Sequence, residues 1–183
     1  MSLLIIAIIA AAIIFAVLII YFIFFFNFVF LGHNLPTGKE AQGLVEKFLV
    51  SNGKTNANFI DLGCATGIFS CALKERFPNL NITAADKDCL RILLAKLRAK
   101  LLKRDVNFIT KNIFALDVSR ADVVYTYLWY SVMPPLEKKL LAELKPGAIV
   151  IANESFFPTW RPVKVIDIYP GKNNSERLFI YKK

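Results

Sequence analysis

From Leu3 to Leu31 the chain carries no charged residue, and Asn27 is the one clearly polar side chain in the run. This run limits the fold more than any other stretch. About 20 apolar residues suffice to cross a bilayer as a helix. At ~1.5 Å per residue this segment would reach roughly 43 Å if fully helical, more than the ~30 Å hydrocarbon core. Tilt or protruding turns are therefore expected. Phe, Ile and Ala cover every face, so the segment is not patterned for a single buried stripe in a globular core. Met1 and Ser2 alone precede it, without a basic n-region, which favours a retained anchor over a cleaved signal peptide.

All 23 Lys and Arg residues follow the run, beginning at Lys39. Positive flanks stay on the cytoplasmic side of a membrane. The expectation is a single-pass membrane protein, with an anchor at 1–31 and a cytoplasmic domain at 32–183. The net charge of +9 belongs to that domain. Basic charge suits nucleic acid or an anionic membrane; beside a membrane anchor the membrane is the simpler partner, and no nucleic acid is expected. Three cysteines do not make a disulfide framework, which agrees with a reducing compartment. No spacing resembles a zinc site, and the single histidine, His33, falls at the membrane edge. No metal is expected.

Past the anchor, Thr37-Gly38-Lys39-Glu40 fits a capping box, with Thr37 as N-cap and Glu40 at the third helical position. A helix to about Val50 follows, then a polar turn, SNGKTNAN. Strands and helices alternate from there. FIDL is a strand, GIFSCALKERF starts a helix, NITAA is a strand ending at Asp86, and residues 88–104 form a strong helix. In that helix Leu90, Leu93, Leu94, Leu97 and Leu101 follow helical spacing and mark an apolar stripe. The basic residues spread around its flanks and back, which reads as a solvated face, with contact to anionic lipid as the alternative. VNFI and DVVYTYL are the third and fourth strands, PPLEKKLLAEL a helix with prolines at its start, and KPGAIVIAN leads into a fifth strand. VKVIDIY and ERLFIYKK, joined through PGKNN, read as a β-hairpin. Such alternation gives an α/β domain with a mainly parallel sheet. Ligands of such sheets bind beyond the C-terminal strand ends, near the switch point. Asp61, Asp86, Asn112 and residues 127–130 all fall at such ends.

The loop after the first strand, DLGCATGIFS, has Gly63, Ala65 and Gly67 where a dinucleotide fingerprint needs G-x-G-x-x-G. The position after the last gap is Ile68, so the match to NAD is poor. Asp61 at the strand end would repel a pyrophosphate and favour a cation. S-adenosylmethionine has no phosphate and carries an ammonium and a sulfonium, so D-x-G-x-x-x-G suits it. Asp86, 19 residues after Gly67, stands where an acid binds both ribose hydroxyls. Asn112 is placed to hydrogen-bond the adenine amino group. The methyl of Ala65 is tolerable if its φ is negative.

Together these residues resemble a class I S-adenosylmethionine-dependent methyltransferase, with a Rossmann-like sheet. From Tyr127 onward, YLWYSVMPPLEKKLLAELKPGAIVIANESFFPTWRP is similar to the lysine N-methyltransferase family that modifies the ATP synthase c subunit and the adenine nucleotide translocase. The N-terminal apolar run, Pro36-Thr37 and Trp160-x-Pro162 add to that resemblance, which covers roughly residues 35 to 162. It implies that Asp61, Gly63 and Gly67 hold the methionine end of the cofactor, Asp86 the ribose and Asn112 the adenine. Thr37, Cys64, Ala65, Lys87 and Ile113 complete the expected cofactor set. Ala65, Asn112 and Tyr130 depart from the family's usual glycine, aspartate and proline. The implied acceptor is a lysine on a membrane-associated protein.

Methyl transfer to an amine is an in-line displacement that needs alignment and proximity. No histidine is offered at the fourth strand; aromatics are. Strand alternation would put Tyr125, Tyr127 and Trp129 on one face, where rings hold an ammonium by cation–π attraction. Tyr127, Trp129 and Tyr130 are the candidate catalytic residues, with Tyr125 and Trp160 read as packing and Cys64 and Cys71 as small buried residues. Two alternatives stay open: a lipid or small amphiphile as acceptor, and a cofactor-binding protein without turnover.

Overall fold

The computed structural model describes residues 3–26, 37–172 and 176–183. Residues 27–31 of the apolar run, His33, Pro36, and Asn173 and Asn174 of the hairpin turn lie outside the described residues. The chain divides into two compact units, Met1–Pro36 and Thr37–Lys183.

In the first unit, α1 (Leu3–Phe26) is a 24-residue helix without a charged residue. Every side chain from Ala7 to Ile23 is exposed. Among the described residues no helix is long and apolar enough to cross a membrane, so the structure does not support the expected transmembrane span.

The second unit is a seven-stranded sheet between two helical layers. Its elements are α2 (Lys39–Ser51), β1 (Asn58–Leu62), α3 (Ile68–Arg76), β2 (Asn81–Asp86), α4 (Cys89–Leu102), β3 (Asn107–Thr110), β4 (Val123–Thr126), a 3₁₀ turn (Tyr130–Val132), α5 (Met133–Glu143), β5 (Ile149–Asn153), β6 (Lys164–Asp167) and β7 (Arg177–Lys182). The strand order is β3-β2-β1-β4-β5-β7-β6. The first five are parallel, and β7 pairs antiparallel with β5 and with β6. The order reverses between β1 and β4, which opens a crevice at their C-terminal ends.

Strand alternation divides the core in two. Phe59, Tyr125 and Ile151 face α2, α3 and α4, where Val45, Leu49, Leu73 and Ile92 pack. Ile60, Leu62, Val124 and Val150 face α5, where Leu136 and Leu140 pack with Phe157 and Tyr181. Both faces of the central strands are thus apolar, as a covered parallel sheet requires.

Three local expectations are corrected. The N-cap of α2 is Gly38, with no side-chain cap, and the Thr37 hydroxyl lies instead 2.8 Å from the Tyr125 phenol. The fourth strand stops at Thr126, so Tyr127 and Trp129 lie past it and do not share a strand face with Tyr125. In α4 the leucine stripe is not the buried face. Ile92, Ala95 and Ala99 face the core, while Leu93, Leu97 and Leu101 are 62%, 51% and 74% exposed. Close approach is the reason: small side chains let α4 lie against the loop, where Ala95 and Phe108 crowd Gly67.

Candidate active site

The loop between β1 and α3 is held from below by β2. The Gly63 and Cys64 N–H groups both donate to the Ala85 carbonyl, at 2.8 and 3.1 Å. The Ala65 N–H donates to Asp86 Oδ2 at 3.1 Å. Gly63, Ala65 and Gly67 have φ of +83°, +48° and +70°, all left-handed. Ala65 therefore does not meet the condition of a negative φ under which its methyl would be tolerated: with its N–H bonded to Asp86, its backbone lies in a region disfavoured for a residue with a Cβ.

Two carboxylates line the crevice. Asp61 is 3% exposed and Asp86 6%. Asp61 Oδ2 accepts a 2.5 Å hydrogen bond from the Ser70 hydroxyl. Burial pushes the Asp61 carboxyl up to about 7, with Ser70 pulling it down and Asp86 pushing it further up. Asp86 Oδ1 accepts from the Asp88 N–H at 3.0 Å. Neither acid has a basic partner among the described residues. Two buried acids without a counter-charge fit a cationic ligand and disfavour a pyrophosphate. With roughly four lone-pair sites per carboxylate, Asp86 keeps acceptor capacity for ribose hydroxyls beyond its two backbone bonds.

The other cofactor candidates are placed as follows. Lys87 is exposed beside Asp86. Asn112 is exposed, and its Oδ1 accepts from the Phe114 N–H at 3.0 Å, which leaves one lone pair and both amide hydrogens for an adenine edge. Ile113 is half-buried against the α5-side core. Burial pushes the Cys64 thiol well above its ordinary range, so it stays neutral. Thr37 is half-buried and tied to Tyr125, which also accepts from Asn153 Nδ2 at 3.1 Å. Tyr125 is a core residue, 2% exposed, its ring centroid 4.3 Å from that of Phe69.

The candidate catalytic aromatics do not form one wall. Tyr127 is half-buried and donates to Glu154 Oε2 at 3.0 Å. Trp129 is 69% exposed, and Tyr130, 49% exposed, has its ring centroid 5.1 Å from that of Phe156. Burial, then the Glu154 charge, push the Tyr127 phenol above its ordinary range, so it remains a hydrogen-bond donor. Glu154 was not among the sequence candidates. It follows the last residue of β5 at φ +61°, and the available signal was its position: an acid at the C-terminal end of a parallel strand, as Asp61 is in β1 and Asp86 in β2. Burial, then Glu154, raise the nearby Glu176 carboxyl. Trp160 packs as expected, with ring centroids 5.6 Å from Phe157 and 5.2 Å from Tyr181. Its segment is pinned by Thr159, whose N–H donates to the buried Glu137 at 3.2 Å.

Residues 61–164 match the ANTKMT methyltransferase domain family. A protein-lysine N-methyltransferase of Saccharolobus islandicus (strain REY15A) is 31% identical over 127 residues, covering 66% of this chain and 76% of that protein. A malonyl-[acyl-carrier protein] O-methyltransferase of Ilyobacter polytropus is 28% identical over 120 residues, but the chain spans only 45% of its length. Among solved structures, an RNA methyltransferase from Salinibacter ruber in complex with S-adenosyl-L-homocysteine superposes with a TM-score of 0.70 at 23% identity, covering 81% of this chain and 93% of that one. Magnesium protoporphyrin IX methyltransferase from Synechocystis PCC 6803, with bound cofactor, gives 0.61 at 14% identity, covering 79% and 80%. Their acceptors range from protein to porphyrin, so these likenesses carry the fold and not the acceptor. The matched region begins at Asp61 and takes in the loop, both buried acids and the ends of β4 and β5: this chain belongs to the ANTKMT methyltransferase domain family and is an S-adenosylmethionine-dependent methyltransferase with a Rossmann-like α/β fold.

Proposed function

We propose that the chain is a membrane-anchored protein-lysine N-methyltransferase, acting on a membrane-associated protein from the cytoplasmic side. The observation that carries the lysine reading is the Tyr127–Glu154 pair at the ends of β4 and β5. A phenol bonded to a carboxylate suits a cationic amine better than a hydroxyl or a phosphate-rich acceptor. The Saccharolobus relative supports the same reading. The anchor rests on the uncharged run of residues 3–31, and the orientation on the basic residues that follow it.

When bound, S-adenosylmethionine supplies a methyl group made electrophilic by the sulfonium. Asp61 and Asp86 would hold its cationic and ribose parts. Tyr127 and Glu154 would receive and align the acceptor ammonium, and the Glu154 carboxylate would take up its proton before attack. Alignment of a neutral amine is the main requirement, so no histidine is needed.

Incubation of the full chain with membranes and radiolabelled S-adenosylmethionine tests this. Label in protein, recovered as methyl-lysine after hydrolysis, is the expected result. Label confined to the lipid extract would replace the protein acceptor with a lipid. Tight cofactor binding without any transfer would leave a non-catalytic binding protein.

A further inference from the structure

The outward face of α4 is apolar where a solvated helix should be polar. Successive residues turn by about 100° around a helix. On that geometry Leu90, Leu93, Leu94, Leu97 and Leu101 centre on the side opposite Ile92, Ala95 and Ala99, which the core buries. Leu90 and Leu94 are half-buried, while the other three stand open to solvent. Scattered single leucines on a surface are ordinary; a continuous stripe marks an interaction face.

The charges around the stripe indicate what covers it. Arg91 is engaged by Asp88 at 3.5 Å, Arg104 by Glu75 at 2.7 Å, and Arg98 donates to the Thr66 carbonyl. Lys96 and Lys100, along one edge of the stripe, and Lys103 at its end are exposed and make no ion pair among the described residues. No acidic residue lies between Cys89 and Leu102. A narrow apolar ridge with unpaired lysines at its side complements an anionic lipid surface: the leucines enter the acyl boundary and the lysine stems reach up to the headgroups.

We propose that α4 is a docking face through which the catalytic domain lies on an anionic membrane. The inference is separate from the methyl acceptor and stands or falls without it. It is also separate from the anchor, which would hold the chain at a bilayer without fixing which face of the domain meets the lipid.

The experiment places a spin label on the full chain reconstituted in vesicles. Cys64 and Cys71 are buried and Cys89 is exposed, so Leu97→Cys in a Cys89→Ser background carries the one accessible thiol among the described residues. Val50→Cys in the same background, on the exposed side of α2, is the control. In vesicles of phosphatidylcholine with phosphatidylserine, the label at 97 is expected to become accessible to oxygen and shielded from a polar relaxation agent. In pure phosphatidylcholine, or at high salt, it should return to water. Replacing Lys96, Lys100 and Lys103 by Gln should weaken the contact by on the order of a hundredfold. A label that stays aqueous in anionic vesicles overturns the proposal, as does equal insertion of the control. Immobilisation that depends on protein concentration, without lipid contact, assigns the face to a second copy of the chain and overturns it too.

Discussion

Tyr127 and Glu154 meet across the ends of two neighbouring strands, the phenol donating to the carboxylate at 3.0 Å. They are 27 residues apart, and Glu154 reaches the position only with a left-handed backbone, φ +61°. A non-glycine residue held there costs about 1–2 kcal/mol, and such residues gather at functional sites.

Glu154→Gln is therefore expected to lower kcat by roughly a hundredfold, the lower range for a proton-accepting group, with the cofactor Kd unchanged. Gln keeps the side-chain shape and can still accept from Tyr127, so a loss of activity would report the charge. Tyr127→Phe should raise KM for the acceptor more than it lowers kcat. Steady-state kinetics with calorimetric cofactor titration separates the two. Full activity in Glu154→Gln would remove the pair from the acceptor site.

Cofactor capture should depend on pH through Asp61. Its carboxyl is raised to about 7 in the folded chain, so at acid pH the free protein holds it protonated. A raised value in the folded state contributes stability that is present at low pH and is lost as pH rises through about 7. A cationic ligand selects the ionised form, so affinity should climb towards about tenfold per pH unit below 7 and level off above it. The amino group of the ligand titrates near 8, so Asp61→Asn is the necessary comparison: it should bind weakly and lose the rise. Calorimetry in buffers of different ionisation enthalpy should show proton release in the wild type at pH 6. A wild-type profile no steeper than that of Asp61→Asn rejects this role.

Ala65→Gly should stabilise the fold. The alanine sits at φ +48°, which costs about 1–2 kcal/mol, while glycine adds about 0.5–1 kcal/mol of chain entropy on folding. The difference is a net gain of about 0–1.5 kcal/mol. The N–H bond to Asp86 is a backbone bond and survives the change. Urea unfolding should show a higher midpoint at unchanged slope; a lower midpoint would mean that the strain is absorbed elsewhere.

The parallel sheet and the two buried acids were legible because both follow from local pattern. Apolar strands ending in Asp61 and Asp86 keep their meaning wherever the chain goes. What was not legible depended on close approach. The periodicity of α4 is equally good for the leucine stripe and for Ile92, Ala95 and Ala99, and only the space beside Gly67 selects the smaller residues. Thr37 reads as a helix cap until Tyr125, 88 residues away, brings its hydroxyl to it. Glu154 stands at a strand end that the sequence shows, but its pairing with Tyr127 becomes visible only once β4 and β5 are neighbours.

That same approach makes the two glycines of the loop unequal. Both have positive φ, so an alanine at either meets about 1–2 kcal/mol of backbone strain. A Cβ on Gly63 would come within 2.6 Å of Leu128 Cδ2, the far end of a side chain that can turn away. A Cβ on Gly67 would lie 2.5 Å from the Phe108 ring and 2.9 Å from Ala95 Cβ. Phe108 and Ala95 are both buried, and neither can yield without moving β3 or α4. Overpacking adds about 1–3 kcal/mol. Gly67→Ala is thus expected to cost roughly 2–5 kcal/mol and Gly63→Ala roughly 1–2 kcal/mol. Gly63→Ala, with the strain confined to the loop, should lose cofactor affinity while the domain remains folded. Gly67→Ala should lose both together, because the helix that starts there and the helix that covers it are displaced. Thermal melts with and without S-adenosylmethionine read both effects; equal destabilisation by the two substitutions would show that α4 does not press on the loop as described.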